Sequence, residues 1–393
     1  MVKFRRLKRV AEFIEHPSAG GILLMGCVLL SLILANSFVK DEFNNMLFAE
    51  IPATGFTVTG MVNDGLMAIF FLLAGLEIKR EIVDGQLSGI KKAAMPVLCA
   101  IGGMLFPALI YFVFNKDTET SAGWGIPMAT DIAFAVAILN VLKNIVPHAL
   151  RVFLTALAIV DDLGAIVVIA VFYTNHLHVN YLYSAACVFV VMLIFNYFQL
   201  KSAWFYLVPG VLLWYFIHHS GIHATVAGVL TAFAIPVRTR SGYSPVEALE
   251  HRLSDPVNLI ILPIFALANT NITYVNGMAG ALVSPLGLGV ILGLVIGKPL
   301  GIFVMAWTAV KIKLSELPTG VNWMHVAGMG LLAGIGFTMS IFISLLSFND
   351  PAQQSEAKFA ILTASIIAAI TGFISLRIYS KSQKVSDEAA GHS

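Results

Sequence analysis

The chain consists mainly of long apolar runs separated by short polar breaks, and this pattern limits its possible folds more than any other feature. Each run is close to the roughly 20 apolar residues that an α-helix needs to cross a lipid bilayer. Apolar residues make up 58% of the 393-residue chain and charged residues only 12%, whereas soluble domains are about 25% charged. The sequence therefore predicts an all-α polytopic membrane protein with twelve transmembrane helices, and it excludes a series of soluble domains.

The predicted spans end where the apolar runs meet polar residues. They cover residues 18–38, 60–82, 94–114, 124–142, 149–173, 180–199, 204–218, 221–236, 254–271, 285–310, 324–347 and 358–379. The first run follows a basic segment, but it is too long for a signal peptide and lacks a small-residue cleavage site, so we interpret it as an uncleaved span. The predicted organisation is an N-terminal segment over 1–17, one twelve-span domain over 18–380 and a disordered polar tail over 381–393.

Lysine and arginine are distributed unevenly among the predicted loops. With a cytoplasmic N-terminus, the outer side holds only Lys40, Lys116 and Lys358, and Lys298 lies within a span. The rest of the 24 basic residues then fall on the inner side. Because cytoplasmic loops of membrane proteins are enriched in lysine and arginine, this distribution predicts that both termini are cytoplasmic.

The segment 45–59, between the first two spans, has no clear helical pattern. Its apolar and turn residues suit a small β-hairpin on the outer face, but a plain loop fits them equally well. The apolar residues are Phe48, Ile51, Phe56 and Val58, and the turn residues are Pro52 and Gly55.

Cysteine content and net charge exclude several other classes of protein. Cys27, Cys99 and Cys187 all lie in apolar runs, and this odd number gives neither a disulfide framework nor a CxxC metal signature. The net charge of +2 is too small to indicate a nucleic-acid surface. We therefore expect no cofactor and no nucleic-acid partner, and we exclude a secreted disulfide scaffold and a soluble dinucleotide-binding enzyme.

Six charged residues stand out because they fall inside or close to the ends of predicted spans. They are Asp64, Glu77, Asp131, Asp161, Asp162 and Lys298. A charge at bilayer depth costs about 2.5–3.5 kcal/mol even on a lenient scale, so such groups pair, become protonated or face a wet cavity. A structural salt bridge explains Lys298 and one aspartate but leaves the other carboxylates without a cation. The set therefore indicates an ion site within the membrane.

Three of the spans near these charges contain residues that weaken a helix. Asp131 follows a segment with two glycines and a proline over 123–127, Pro299 after Lys298 removes one helical hydrogen bond, and residues 334–336 read Gly-Ile-Gly. Irregular backbone at membrane depth is tolerated only against protein or a water-filled cavity. The strings over 100–107 and 295–302 also resemble each other, which is weak support for an internal repeat.

Seven strings in the chain are specific enough to compare with known families. They are residues 75–81 (GLEIKRE), 129–135 (ATDIAFA), 158–165 (AIVDDLGA), 221–225 (GIHAT), 249–251 (LEH), 296–301 (IGKPLG) and 334–340 (GIGFTMS). Together they closely resemble the NhaA family of bacterial sodium–proton antiporters, from the first predicted span to the twelfth. The resemblance implies an inverted-repeat transporter in which two interrupted helices cross at the membrane midplane.

The resemblance also assigns an ion site residue by residue. Asp161 and Asp162 correspond to the paired aspartates that bind sodium and protons in the family. Lys298 corresponds to the lysine that pairs with the first of them and offsets the charge of helix ends. Asp131 and Thr130 correspond to ion-binding residues at the interruption of the fourth helix, close to its crossing with the eleventh.

A cytoplasmic pH-sensing region is implied in the same way. Its residues are Glu77, Lys79, Arg80, Glu81, Glu250 and His251. Asp64 and His223 also match the family without a definite role, and His223 fits an ordinary interfacial histidine as well. Glu77 and Glu81 fit an ordinary helix end equally well. Because this chain has Ser254 where some relatives have a second histidine, its pH set-point is open.

From the charges and the resemblance we expect the chain to exchange cytoplasmic sodium or lithium for external protons. A carboxylate is a hard ligand that suits these cations, and a proton on the same carboxylate removes the charge that binds them. Cation and protons then compete for one site with alternating access, and the family implies electrogenic, pH-regulated exchange. The expected partners are Na⁺, Li⁺, H⁺, the lipid bilayer of a bacterial inner membrane and a second copy bound through the 45–59 hairpin.

Three other classes fit the sequence less well. A solute symporter on a similar fold needs a cluster of extra hydrogen-bond donors, and no such cluster is apparent. An intramembrane aspartyl protease needs a GxGD string, but Phe337 follows the Gly334-Ile-Gly336 string, and a prenyltransferase needs a further aspartate after Asp161 and Asp162. An open channel needs a repeated ring of pore residues. We therefore do not expect an enzyme.

Overall fold

The computed structural model describes residues 19–52, 55–174, 177–274 and 277–390, and these ranges contain helices, one isolated β-bridge and no strand. The predicted N-terminal segment 1–17 lies outside the described residues. The helices are α1 (Ala19–Ala35), α2 (Lys40–Phe48), α3 (Val58–Val83), α4 (Ile90–Asn115), α5 (Ile132–Val141), α6 (His148–Phe172), α7 (Val179–Tyr197), α8 (Trp204–Ser220), α9 (Val226–Ala234), α10 (245–269), α11 (Pro285–Lys311), α12 (Trp323–Ala333), α13 (Phe337–Ser347) and α14 (Pro351–Ala390). Two 3₁₀-helices, Ser121–Met128 and Met278–Val283, precede α5 and α11.

The predicted all-α membrane architecture is confirmed. Over the described ranges, seven helical segments are long and apolar enough to cross a membrane, and the number is nine if each of two bent pairs forms one span. The three predicted spans not counted in this way coincide with α8, α9 and α10. With nine residues, α9 is only about 14 Å long, well below the thickness of a bilayer core. The count of twelve therefore stays a prediction.

The chain divides into two compact units. One combines Ile90–Gly164 with the chain from Tyr274 onward, and the other combines Leu23–Gly89 with Ala165–Thr273. In the first unit, the backbones of α4 and α11 are in contact. A Cβ on Gly102 would stand 2.3 Å from the carbonyl oxygen of Gly301, so only glycine allows this approach. The two glycines belong to the two similar strings over 100–107 and 295–302.

Two interrupted helices meet in the first unit. Between the 3₁₀-helix Ser121–Met128 and α5, the backbone at Ala129 and Asp131 is extended, and α12 and α13 are bent by 47° at the break 334–336. The backbone N–H of Asp131 donates to the carbonyl oxygen of Ile335 over 2.6 Å, which joins one break to the other. The two interruptions predicted from glycine and proline are thus confirmed.

The second unit is organised around an apolar core. The core receives side chains from five helices, α3, α7, α8, α9 and α10, and they include Leu76, Met192, Leu213, Ala232 and Val246. Within α3, residues Met61–Leu66 form a π-helical turn that contains Asp64. The indole N–H of Trp214 donates to the backbone carbonyl of Asp64 over 3.0 Å. This carbonyl therefore has a partner where the π-helical turn disturbs the regular backbone hydrogen bonds.

The outer segment 45–59 differs from the predicted hairpin. Helix α2 continues to Phe48, and among the described residues of this segment there is one antiparallel bridge, between Glu50 and Thr57. The backbone N–H of Ile51 also donates to the carbonyl of Phe56. A longer ladder is prevented because Pro52 has no N–H to donate and because α3 begins at Val58. The hairpin is therefore corrected to a helix followed by a single β-bridge between described residues.

The end of the chain differs from prediction too. Helix α14 continues to Ala390, whereas the sequence analysis predicted a disordered tail from 381. The physical reason is local, because residues 381–390 contain no glycine or proline and are rich in lysine, glutamine, glutamate and alanine, which favour helix. The last three residues lie outside the described part of the chain.

Candidate ion site

A buried ion pair forms the centre of the candidate site. The ammonium nitrogen of Lys298, on α11, lies 2.6 Å from Oδ2 of Asp161, on α6. Lys298 is 0% and Asp161 1% exposed, so this pair is isolated from water by protein. Charges in such surroundings are costly unless they are paired and hydrogen-bonded on most sides. The structure thus places Lys298 against the first aspartate of the doublet, as the resemblance implied.

Lys298 also contacts the end of a helix. Its ammonium group donates to the carbonyl oxygen of Met128, the last residue of the 3₁₀-helix Ser121–Met128. The helical terminus leaves carbonyl groups without intrahelical partners and carries partial negative charge, so a cation is favourable there. The lysine itself directly follows the π-helical turn Gly293–Gly297, an irregularity of the kind that is frequent at functional sites.

The hydroxyl of Thr130 connects the ion pair to the second interrupted helix. Its Oγ1 lies 2.7 Å from Oδ2 of Asp161 and 3.0 Å from the carbonyl oxygen of Ala333, the last residue of α12. A threonine hydroxyl has one proton to donate, so it can serve only one of these acceptors at a time. The Thr130 hydroxyl can therefore donate its hydrogen bond either to the carboxylate of Asp161 or to the carbonyl oxygen at the end of α12.

One carboxylate oxygen of Asp161 has no hydrogen-bond partner among the described residues. Within the described residues, Oδ1 of Asp161 is buried and makes no hydrogen bond, although Oδ2 accepts two. Asp162, the next residue on α6, is also buried, and it interacts electrostatically with Lys298. A buried carboxylate oxygen without a donor is chemically suited to a hard cation or to a proton.

Asp131 is held differently from Asp161, because both of its carboxylate oxygens accept hydrogen bonds from helix starts. Oδ1 accepts from the backbone N–H of Phe134 in the first turn of α5. Oδ2 accepts from the backbone N–H of Thr338 over 3.1 Å and from the Thr338 hydroxyl over 2.6 Å, in the first turn of α13. One buried carboxylate thus caps two helices and offsets the positive partial charge of both termini.

The residues implied in pH sensing fall into separate groups. Arg80 forms ion pairs with Glu250 over 2.8 Å and with Glu81 over 2.9 Å. Lys79 instead donates to the carbonyl oxygens of Phe233 and Ile235, and so caps the end of α9. The structure brings Glu81, Arg80 and Glu250 together at the C-terminal end of α3 and the N-terminal part of α10.

Two members of the implied sensor are not partners in these ion pairs. Glu77 is half-buried on α3, one helical turn before Glu81, and interacts electrostatically with Glu250, Arg80 and Glu81. His251 is exposed and lines a shallow depression together with Arg238 and Glu247.

Asp64 and His223 lie elsewhere in the second unit. Oδ2 of Asp64 is 3.9 Å from Nδ1 of His218, which stacks on Trp214 with an interplanar angle of 17°. Nε2 of His223 lies 2.7 Å from the backbone carbonyl oxygen of Tyr173. The sequence analysis missed His218, because a histidine near a span end is usually only interfacial.

Interrupted helices around buried carboxylates and a buried lysine, in a polytopic membrane protein, are the features of an ion transporter. The chain belongs to the Na⁺/H⁺ antiporter 1 family, whose model matches residues 11–376. The family resemblance seen in the motifs is therefore confirmed.

Individual relatives are similar over nearly their whole length. The Na⁺/H⁺ antiporter NhaA 2 of Flavobacterium johnsoniae is 56% identical, over 98% of this chain and 96% of the relative. The Na⁺/H⁺ antiporter NhaA of Flavobacterium psychrophilum is 47% identical, over 96% of this chain and 98% of the relative. The Na⁺/H⁺ antiporter NhaA of Cytophaga hutchinsonii is 48% identical, over 93% of this chain and 94% of the relative.

Proposed function

We propose that this protein exchanges sodium or lithium ions for protons across the inner membrane of a bacterium, and that Asp161 and Asp162 carry both. Family membership and the names of its relatives support sodium–proton exchange. The observation that carries the proposal is the asymmetric use of Asp161. Its Oδ2 is occupied by Lys298 and Thr130, whereas its buried Oδ1 has no donor among the described residues.

Charge balance explains how one site serves two kinds of ion. A protonated Asp162 beside the Asp161–Lys298 pair gives a neutral site, and so does sodium with both aspartates ionised and Lys298 protonated. Exchange of one proton for one sodium therefore conserves the charge of the site. If a second proton leaves the Asp161–Lys298 pair when sodium binds, each cycle moves net charge and the exchange is electrogenic. Such coupled groups titrate as a unit.

The interrupted helices supply the polar atoms that surround the site. Carbonyl ends of the 3₁₀-helix and of α12 lie beside Lys298 and Thr130, whereas the N–H ends of α5 and α13 lie at Asp131. Small shifts of either break would therefore change how Thr130 and Lys298 contact Asp161. In this proposal the site opens alternately to the cytoplasm, where sodium binds, and to the outside, where protons bind.

Regulation and assembly form the remaining parts of the proposal. We assign pH sensing to the group around Arg80 and Glu250, since a change in protonation there would alter the pairing of α3 with α10. We assign the contact between two copies to the outer segment 45–59, with both termini of each copy cytoplasmic. The surrounding partner of the apolar helices is the lipid bilayer.

Everted membrane vesicles that contain this protein test the proposed function. A proton gradient is formed by respiration, and its dissipation is measured after addition of NaCl, LiCl or KCl, with vesicles lacking the protein as the control. We expect sodium and lithium to dissipate the gradient and potassium to do so far less. Equal responses to all three cations would contradict a site built for small, hard cations.

A further inference from the structure

Helix α13 begins without a side-chain cap of its own. Its N-cap residue is Gly336, which has no side chain to accept a hydrogen bond. The first N–H groups of a helix have no intrahelical partner, and within a membrane no water replaces them. In this protein two groups from other helices take that role. Asp131 accepts from the N–H of Thr338, and the hydroxyl oxygen of Ser365 accepts from the N–H of Phe337 over 3.2 Å.

Ser365 lies on α14, the last helix, and is 7% exposed. Other hydroxyls of the same helix bond back to their own backbone, as serine and threonine usually do in helices. Thr363 donates to the carbonyl oxygen of Phe359 over 2.9 Å, and Thr371 donates to that of Ile367 over 2.7 Å. The hydroxyl oxygen of Ser365 instead accepts from the start of a different helix, whose own N-cap residue provides no side chain.

A short series of contacts leads from Ser365 to the ion pair. Phe337 directly follows the break 334–336, in which the carbonyl oxygen of Ile335 accepts from the N–H of Asp131. At the near end of the same break, the carbonyl oxygen of Ala333 lies 3.0 Å from the Thr130 hydroxyl, which in turn reaches Asp161. The position of the first turn of α13 therefore determines where these carbonyl groups stand.

We propose that Ser365 is a positioning residue of the ion site, because its hydroxyl holds the first turn of α13 and thereby the break that contacts Thr130 and Asp131. This inference rests on the proposed sodium–proton exchange. Ser365 itself does not touch the ion. Loss of its hydroxyl frees the N–H of Phe337, and α13 and the break then move to find another acceptor. Cation affinity is expected to weaken more than the rate of turnover.

The test compares three variants reconstituted in proteoliposomes. Ser365→Ala removes the acceptor, Ser365→Thr retains it, and Thr363→Val removes a nearby hydroxyl that bonds only within α14. We expect Ser365→Ala to raise the KM for sodium on the order of fivefold, as one lost hydrogen bond implies, with the maximal rate nearly unchanged. Ser365→Thr and Thr363→Val should retain the wild-type KM.

A readout without transport separates this inference from the proposed function. Hydrogen–deuterium exchange is measured for peptides that cover 334–340 in detergent, where we expect faster exchange in Ser365→Ala than in Thr363→Val. If the wild type transports no sodium, the proposed function fails, but the hydrogen–deuterium measurement still tests whether Ser365 caps α13. Wild-type KM and unchanged deuterium uptake in Ser365→Ala would overturn the inference. So would lower thermal stability with an unaltered KM, which would leave Ser365 a structural cap only.

Discussion

Lys298 approaches Asp161 through a single carboxylate oxygen, Oδ2, and leaves Oδ1 buried without a hydrogen bond to any described residue. A lysine placed only to neutralise an aspartate would gain most if both oxygens were satisfied. The one-sided contact instead keeps an acceptor open beside Asp162. Under the proposed function the transported cation binds next to the lysine, so that the occupancy of one affects the other.

Removal of the lysine should destabilise the fold. In Lys298→Ala the carboxylate of Asp161 and the carbonyl of Met128 lose their donor, and we expect a loss of about 3–5 kcal/mol of stability, by analogy with other broken buried pairs. Lys298→Arg should retain part of this stability. Melting temperatures in detergent measure the effect. Lys116→Ala is the control, because Lys116 is exposed and its ion pair with Asp117 is long, at 4.0 Å. An unchanged melting temperature in Lys298→Ala would remove the proposed pairing.

Thr130 should affect cation binding through its hydroxyl. Thr130→Val keeps the shape of the side chain but leaves Oδ2 of Asp161 and the carbonyl of Ala333 without this donor. Unsatisfied buried groups cost about 1–3 kcal/mol, so we expect the sodium concentration for half-maximal exchange to rise roughly 10-fold or more. Thr130→Ser should restore most of the affinity. Equal affinities in wild type and Thr130→Val would show that the hydroxyl does not belong to the site.

One substitution can distinguish between two roles of Asp131, a cap of two helices and a direct ligand of the ion. Because both of its oxygens cap helix starts, Asp131→Asn should lower stability by about 1–3 kcal/mol, since the amide replaces one acceptor with a donor. Exchange should fall but remain measurable. Thermal unfolding and sodium-dependent proton release are recorded on the same preparation. Complete loss of exchange at an unchanged melting temperature would instead make Asp131 a direct ligand, as the resemblance implied.

The ion pairs of Arg80 predict different behaviour for two neighbouring residues. Glu250 pairs with Arg80, whereas the side chain of His251 is exposed. We expect Glu250→Gln to move the pH profile of exchange along the pH axis without abolishing maximal activity, and His251→Ala to move it less. The initial rate is measured in steps from about pH 6 to about pH 9. Loss of exchange at every pH would place either residue in the ion path.

The helical architecture and the charges of the site were accessible from sequence because both leave strong local signals. Apolar runs predict helices, glycine and proline predict the two breaks, and a charge within a span is costly enough to be informative. Asp161, Asp162 and Lys298 could thus be named in advance, whereas Thr130 was named only from the family resemblance. How these residues are arranged in space could be predicted only from the family resemblance. Thr130 and Lys298 lie 31 and 137 positions from Asp161, and such separations in the sequence do not determine a contact.

Other parts of the site have no signal in the sequence. The carbonyl oxygens of Met128 and Ala333 are backbone atoms, which every residue possesses, and only the fold determines which of them meet Lys298 and Thr130. Ser365 looks like any hydroxyl in a transmembrane helix until its partner is seen to be the start of α13. The outer segment was misjudged for a similar reason, because α2 continues through residues that also suit a strand.

The most direct test of the central claim is sodium-dependent exchange in Asp162→Asn. The substitution keeps the volume of the side chain, but a neutral amide cannot alternate between holding a cation and holding a proton. Asp117→Asn, at an exposed loop position, is the matched control for the same chemical change. In proteoliposomes of equal protein content, we expect Asp162→Asn to abolish exchange at every pH tested while Asp117→Asn retains the wild-type rate. Wild-type exchange in Asp162→Asn would contradict the assignment of the ion site.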